Sequence, residues 1–364
     1  MTIEEFGFSS TRHFTRGKKR KLLEIYPTVF KLLEASDADI LHYEIISEKE
    51  LCAFRTELTS LKLKESFRRF TESGYNLVLS YDSTFPEPLR YIHEPPVALF
   101  YNGSLPDPDE KLVAMVGARR CSSYGRVMAG KIASDLASFD YSVISGMAYG
   151  IDTYSQRGAL EGGGKTYAFV ANGLDICYPE TNRDLYTEIP KHGAIITEFA
   201  LGTQRIPEFF PDRNRLISGL SRAVIVIEAR ERSGSLITAD FALDQGRDVY
   251  ALPGKITDPL SAGCNKLISQ GAGIIRSSEA LIEELELSYN PDAIVHIEEE
   301  IKNSGLKPDE IKVYSAFDFN AKSIDEVQAE CGLTLLDILG IVSTLTEKGF
   351  LKEVFLNHYV RNMA

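Results

Sequence analysis

The sequence predicts an α/β fold: a mainly parallel, doubly wound sheet, preceded by a helical region and followed by a small helical module with a terminal hairpin. Three observations predict it. Between residues 111 and 276 seven apolar runs of strand length recur. They are continuous in Val, Ile and Ala rather than alternating, which implies burial on both faces. Most are separated by stretches with helical periodicity, and β–α alternation builds parallel sheets.

Taken in order, residues 1 to 75 read as short helices. KLLEIYPTVFKLLEAS and SEKELCAFRTELTSLKLKESFRRF carry apolar residues at three- and four-residue intervals. The run RHFTRGKKRK at 12–21 is basic and reads as a solvated flexible arm, with a nucleic-acid contact as its alternative. A Pro-rich, turn-rich stretch, YDSTFPEPLRYIHEPPVALFYNGSLPDPDE, leads into the central region. There the strands are expected at KLVAMVG, YSVISG, TYAFVAN, AIITE, AVIVIE, DVYALPG and GIIR. GRVMAGKIASDLASF and SLITADFALDQG are helices among the segments between them. Residues 76–285 thus form the sheet domain and 286–305 an acidic linker. Residues 306–364 give three helices and a hairpin-like end, which suggests a winged-helix-like module. The third helix of that module is nearly all apolar, whereas a base-reading helix offers Arg, Lys, Asn or Gln. It is expected to pack within its domain or on a partner.

The 364 residues, 44 % hydrophobic and 25 % charged, are ordinary for a globular protein. No apolar run is long enough to span a bilayer, and no signal peptide is expected behind the first charges. Five scattered cysteines without a CxxC pair argue against a disulfide framework or structural zinc and for a cytoplasmic setting. The net charge of −12 weighs against indiscriminate coating of nucleic acid. It leaves room for a local basic groove, because each charge reaches only about 8–10 Å at physiological salt.

In an open parallel sheet, ligands bind beyond the carboxyl ends of the strands. Three strand-to-helix junctions carry unusual residues there. VGARRCSSYGR offers Gly117, Arg119, Arg120, Ser122 and Ser123; SGMAYGID offers Ser145 and Gly146; EARERSGSLITAD offers Ser233, Gly234, Ser235 and Thr238. Small residues, free N–H groups and a helix dipole make each a candidate anion seat, although such residues also serve turn geometry and capping alone. FPDRNRLISGL adds a question. Asp212 is expected to cap a helix whose first turn then holds Arg213 and Arg215, where the dipole disfavours cations. A bound phosphate would reverse that sign, with Asn214 as a further polar group; a buried ion pair to Asp212 or Glu228 would also do so. Phe209 and Phe210 can stack unpaired bases or pack inward. Asp152 and Glu228 could act as acid or base but fit capping a helix or orienting an arginine better. The six histidines are scattered. With no nucleophile, metal cluster, GxGxxG after the first strand or GxxxxGK[ST], the pattern describes a binder rather than an enzyme, with no cofactor.

These motifs, in order and spacing over about 77–285, resemble the DNA-processing protein A (DprA/Smf) family. The resemblance rests on VGARRCSSYG, on SGMAYGIDTYSQRGALEGGGKTYAFVANGLDICYPETNRDLY, and on FPDRNRLISGLSRAVIVIEARERSGSLITADFALDQGRDVYALPG. It implies a Rossmann-like domain that binds single-stranded DNA irrespective of sequence, as a homodimer, protects incoming strands and helps load RecA recombinase in natural transformation. The implied DNA-binding residues are Gly117, Arg119, Ser145, Gly146, Phe210, Arg213, Asn214, Arg215, Ser233, Gly234 and Ser235. Ser155 and Gln156 stand where members often carry Ala-His, so no role of that histidine transfers. The alternative is a nucleotide-processing enzyme of the lysine-decarboxylase-like phosphoribohydrolase type. Its PGGxGTxxE loop is missing, since the junction reads RSGSLITAD.

Overall fold

The computed structural model describes residues 1–289, 306–317, 322–355 and 357–361. The chain divides into two compact units, Met1–Leu285 and Glu286–Ala364.

The first unit opens with short helices: α1 Ile3–Ser10, α2 Arg16–Ile25, α3 Val29–Glu34, α4 Asp37–His42, α5 Glu48–Thr59 and α6 Leu61–Glu72. Each starts at a Ser or Thr whose hydroxyl accepts an amide of the first turn, from Thr2 through Ser60. Pro27, unable to continue a helix, splits KLLEIYPTVFKLLEAS into α2 and α3. These helices share a core with the sheet: Phe6, Phe8, Leu22, Phe54 and Phe70 cluster with Leu79, Phe100 and Ile195. Residues 1–75 are therefore part of one body with the sheet domain.

The expectation of a flexible arm at 12–21 is overturned. Most of the run is α2, and Lys19 lies one turn before the buried Leu22 on its inner face. Lys19 is 9 % exposed and donates to the Ser9 carbonyl at 2.7 Å.

The sheet comprises β1 Asn76–Leu79, β2 Ala98–Gly103, β3 Lys111–Val116, β4 Tyr141–Ser145, β5 Thr166–Phe169, β6 Ala194–Thr197, β7 Ala223–Val226, β8 Asp248–Ala251 and β9 Gly273–Ile274. Its order is β1-β2-β6-β5-β4-β3-β7-β8-β9. The seven expected strands, β3 to β9, all pair in parallel. β1 and β2 extend the β6 edge in antiparallel fashion. This pair was not expected from the sequence, because the Pro-rich segment joining the two short strands hides them. α7 Ser123–Ala137, α8 Ile151–Glu161, α9 Arg183–His192, α10 Phe209–Leu220, α11 Gly234–Asp244, α12 Ala262–Ser269 and the start of α13 Ser278–Tyr289 complete the unit. From β3 the chain winds outward one way to β6, then returns to lay β7 on the other side of β3. That reversal opens a crevice between the carboxyl ends of β3 and β7, where doubly wound sheets bind ligands.

α13 runs to Tyr289, so the first residues of the expected linker are helical, and 290–305 lie outside the described residues. The second unit holds α14 Pro308–Ala316, β10 Lys322–Ser323, α15 Ile324–Cys331, α16 Leu335–Glu347, β11 Leu351–Phe355 and β12 His358–Arg361. Its strands form an antiparallel sheet in the order β10-β12-β11. The apolar α16 buries one face, through Ile338, Val342 and Leu345. Leu335, Leu336 and Leu339 stay exposed. Among the described residues no helix is long and apolar enough to cross a membrane.

Candidate nucleic-acid interface

The three junctions singled out in the sequence differ in what already occupies them. At the β3–α7 junction Ser122 caps α7, and it donates its backbone N–H to Glu228 at 2.8 Å and its hydroxyl at 2.5 Å. A Cβ on Gly125 would stand 2.4 Å from that carboxylate. Glu228, 3 % exposed, thus fills the seat at the start of α7.

At the β4–α8 junction Asp152 accepts from the Gly146 and Ala148 amides at 3.1 and 3.2 Å. Burial pushes its carboxyl up from the usual range, opposed by the facing Arg213 guanidinium. The Ser145 hydroxyl donates to the Met115 carbonyl at 2.6 Å. Both carboxylates therefore hold helix starts and loops, and both of these anion seats are filled from within. The β7–α11 junction differs. Ser233 caps α11, accepting from the Ser235 amide at 3.4 Å, and among the described residues no carboxylate accepts from Gly234 or Ser235. This helix start faces the crevice.

Helix α10 corrects the reading of FPDRNR. It begins at Phe209, with Asp212 inside its first turn rather than capping it, so the arginines fall a turn later. Arg213 is 5 % exposed and Arg215 3 %. Arg213 donates through Nη1 to the carbonyls of Gly146, at 2.7 Å, and Phe169. Burial lowers its guanidinium to about 10, with Asp152 opposing. Arg215 donates to Glu198 at 2.5 Å. The helix dipole is thus not balanced by an external anion at these two side chains; internal acceptors hold them. Arg16 joins this cluster, contacting Asp212 at 2.9 Å, Glu94 at 2.8 Å and Glu198 at 3.3 Å. Phe209 stacks on Phe199 with ring centres 4.2 Å apart, which is a packing role.

The crevice at the switch point has a volume of about 810 Å³. Gly117, Arg119 and Arg120 form one wall, and Arg230, Arg232 and Ser233–Ser235 the other. Phe210, Arg213 and Asn214 of α10 lie between them. Gly117 is required there, since a Cβ would come within 2.6 Å of Ile151. Arg205 and Tyr178 close a third side. Arg119, Arg120, Arg205, Arg230 and Arg232 are exposed. None of the five pairs with a carboxylate among the described residues. Asp152 is the one carboxylate among the lining residues. A chain of net charge −12 has therefore gathered unpaired cations at one place.

Of the site residues expected from the sequence, Gly117, Arg119, Phe210, Arg213, Asn214, Ser233, Gly234 and Ser235 line the crevice. Ser145, Gly146 and Arg215 do not; they sit behind it, and Gly146 leaves room for the Arg213 guanidinium, which a Cβ would meet at 2.4 Å. Arg230, Arg232, Arg205 and Tyr178 were not singled out. The first two flank SGS and were readable as a local basic signal. The others come from loops with no periodicity to place them. Among the described residues no group of three or more His, Cys, Asp or Glu is arranged to hold a metal ion.

The model of the family described as DNA recombination-mediator protein A matches residues 76–286. The chain is 43 % identical over 230 residues to the DNA processing protein DprA of Streptococcus pneumoniae, covering 63 % of this chain and 79 % of that protein. To DprA of Bacillus subtilis it is 36 % identical over 225 residues, 62 % of this chain and 76 % of that one. Among solved structures, S. pneumoniae DprA superposes with a TM-score of 0.67 at 35 % identity, over 78 % of this chain and 98 % of that one. DNA processing protein A of Helicobacter pylori, described for its single-stranded DNA binding mode, does so at 0.53 and 29 % identity, over 59 % and 97 %.

Proposed function

The chain belongs to the DNA recombination-mediator protein A family, and from that premise we propose that it binds single-stranded DNA, irrespective of sequence, in the crevice between β3 and β7. The observation that carries this is the set of exposed arginines without carboxylate partners beside an unfilled helix start, in an otherwise acidic chain. Phosphates lie against the amides of Ser233–Ser235 and the guanidinium groups of Arg119, Arg120, Arg230 and Arg232. Phe210 offers its ring to a base and Asn214 a polar contact. Arg213, held on the crevice wall by backbone carbonyls, and Arg215, Ser145 and Gly146 one layer back keep the crevice in shape. Contacts to phosphates and to ring faces carry little sequence information, so binding is indifferent to sequence. The single-stranded DNA described for the H. pylori relative supports the reading.

Family membership supports the wider role: protecting incoming strands and helping load RecA recombinase in natural transformation, as a homodimer. Its setting is cytoplasmic, consistent with five unpaired cysteines. The protein acts as a binder, without cofactor. The test is a titration with oligo-dT at two salt concentrations beside a duplex competitor. Tight, salt-dependent binding of the single strand is expected, and preference for duplex overturns the reading. Sustained release of base from nucleoside monophosphates would instead favour the phosphoribohydrolase alternative.

A further inference from the structure

Two ring-and-guanidinium pairs stand side by side in the crevice. The Arg119 guanidinium lies over the Phe210 ring, 5.0 Å from its centre. The Arg205 guanidinium lies over the Tyr178 ring at 3.9 Å. The two rings are neighbours, with centres 6.1 Å apart and planes inclined at 67°. Tyr149, exposed at the rim, continues the row 6.3 Å beyond Tyr178.

The pairs come from four separate places in the chain: the β3–α7 junction, α10, the loop after β6 and the turn before α9. Only Phe210 lies in a regular element. A protein that needed these rings for packing alone would bury them, yet Tyr178 and Phe210 are half-buried and line the crevice wall. Arg205 is exposed and has no carboxylate partner among the described residues; its guanidinium rests on the Tyr178 ring instead. A guanidinium beside an aromatic face supplies both things a nucleotide needs, a charge for the phosphate and a π-surface for the base.

We propose that Tyr178 and Arg205 form a second nucleotide subsite, next to that of Phe210 and Arg119, so that the crevice takes two successive nucleotides of one strand. Tyr178 stacks the base, Arg205 holds the phosphate, and Tyr149 guides the strand as it leaves the rim. This rests on the reading of the crevice as a single-strand site and adds its second step. The cavity's volume, about 810 Å³, is large enough for more than one nucleotide's contacts.

The experiment compares full-length wild type, Tyr178→Ala, Tyr178→Phe and Arg205→Ala. Each is titrated with an oligo-dT and with the same length of abasic deoxyribose phosphate. Tyr178→Ala should lose roughly tenfold in affinity for oligo-dT and nothing for the abasic strand, and Tyr178→Phe should bind as wild type. Arg205→Ala, an exposed change that leaves the core untouched, should weaken both strands and reduce the salt slope by about one unit. Equal losses by Tyr178→Ala on both strands would mean that the ring only shapes the crevice, and would overturn the subsite. So would unchanged binding of oligo-dT by Tyr178→Ala or by Arg205→Ala. Failure of the wild type to bind oligo-dT overturns the underlying reading as well, which separates the two ideas.

Discussion

Arg213 donates to the carbonyl of Gly146 at 2.7 Å across 67 residues of sequence. The bond ties α10 to the end of β4, and the arginines around the crevice fall into two kinds. Arg213 and Arg215 have internal acceptors and hold it together; Arg119, Arg120, Arg205, Arg230 and Arg232 have no carboxylate partner among the described residues.

Arg213→Ala and Arg119→Ala should therefore fail in opposite ways. Arg213→Ala strips a buried Asp152 of its facing charge and leaves two carbonyls without a donor, a loss of about 3–5 kcal/mol in stability. Arg119→Ala should leave stability within about 0.5 kcal/mol and flatten the salt dependence of oligo-dT binding by about one unit. Urea unfolding beside binding titrations at two salt concentrations separates them. Loss of binding in Arg119→Ala with an unchanged salt slope would contradict the assignment.

Arg215→Ala should behave as a structural change. Its guanidinium meets Glu198, which also lies 3.3 Å from Arg16. Stability should fall by about 1–3 kcal/mol, with the salt slope of binding as in the wild type. A slope lower by one unit would return Arg215 to the DNA contact.

Glu228→Ala should loosen the start of α7 by freeing its cap residue, Ser122. Both bonds from Ser122 are lost, and about 1–2 kcal/mol of stability with them. Amide exchange at the first turn of α7 should accelerate while the first turn of α11 is unchanged. Equal acceleration at both helices would show that Glu228 acts globally.

Lys19 gives a pH signature. Burial lowers its ammonium to about 8, so the folded state disfavours the charged form. Below pH 8 both folded and unfolded chains carry the proton, and the full cost of the buried charge is present. Between pH 8 and the unfolded value near 10.5 the unfolded chain binds more protons, so this cost is relieved as pH rises. Lys19→Met removes the buried charge together with its bond to the Ser9 carbonyl, so its stability relative to wild type should be highest below pH 8. That relative stability should fall between pH 8 and 10.5, as read from paired thermal melts. A constant difference across that range would show that the ammonium is not strained.

Gly150 has φ +77°, and a Cβ there would meet the Ala118 carbonyl at 2.2 Å. Gly150→Ala should cost more than about 2 kcal/mol, because backbone rather than a mobile side chain blocks the space. A melting temperature equal to wild type would show that the β3–α7 junction can move aside.

The sequence by itself determined the seven parallel strands, the doubly wound layout and the three junctions at one edge. Continuous Val and Ile runs, helical spacing and Gly-Ser turns are properties of neighbouring residues, so they are legible along the chain. It also singled out Phe210, Arg119 and SGS, which line the crevice. Only the tertiary structure decided which junction is open. Glu228 closes the first from 106 residues away, and Asp152 the second from the first turn of the helix that follows it. It likewise turned Arg213 and Arg215 inward, folded the basic run at 12–21 onto the body through Lys19 and Arg16, and brought Tyr178 and Arg205 to the crevice. The physical reason is that a charge acts through the partner it meets in space, and pairings between distant segments leave no periodic trace in sequence.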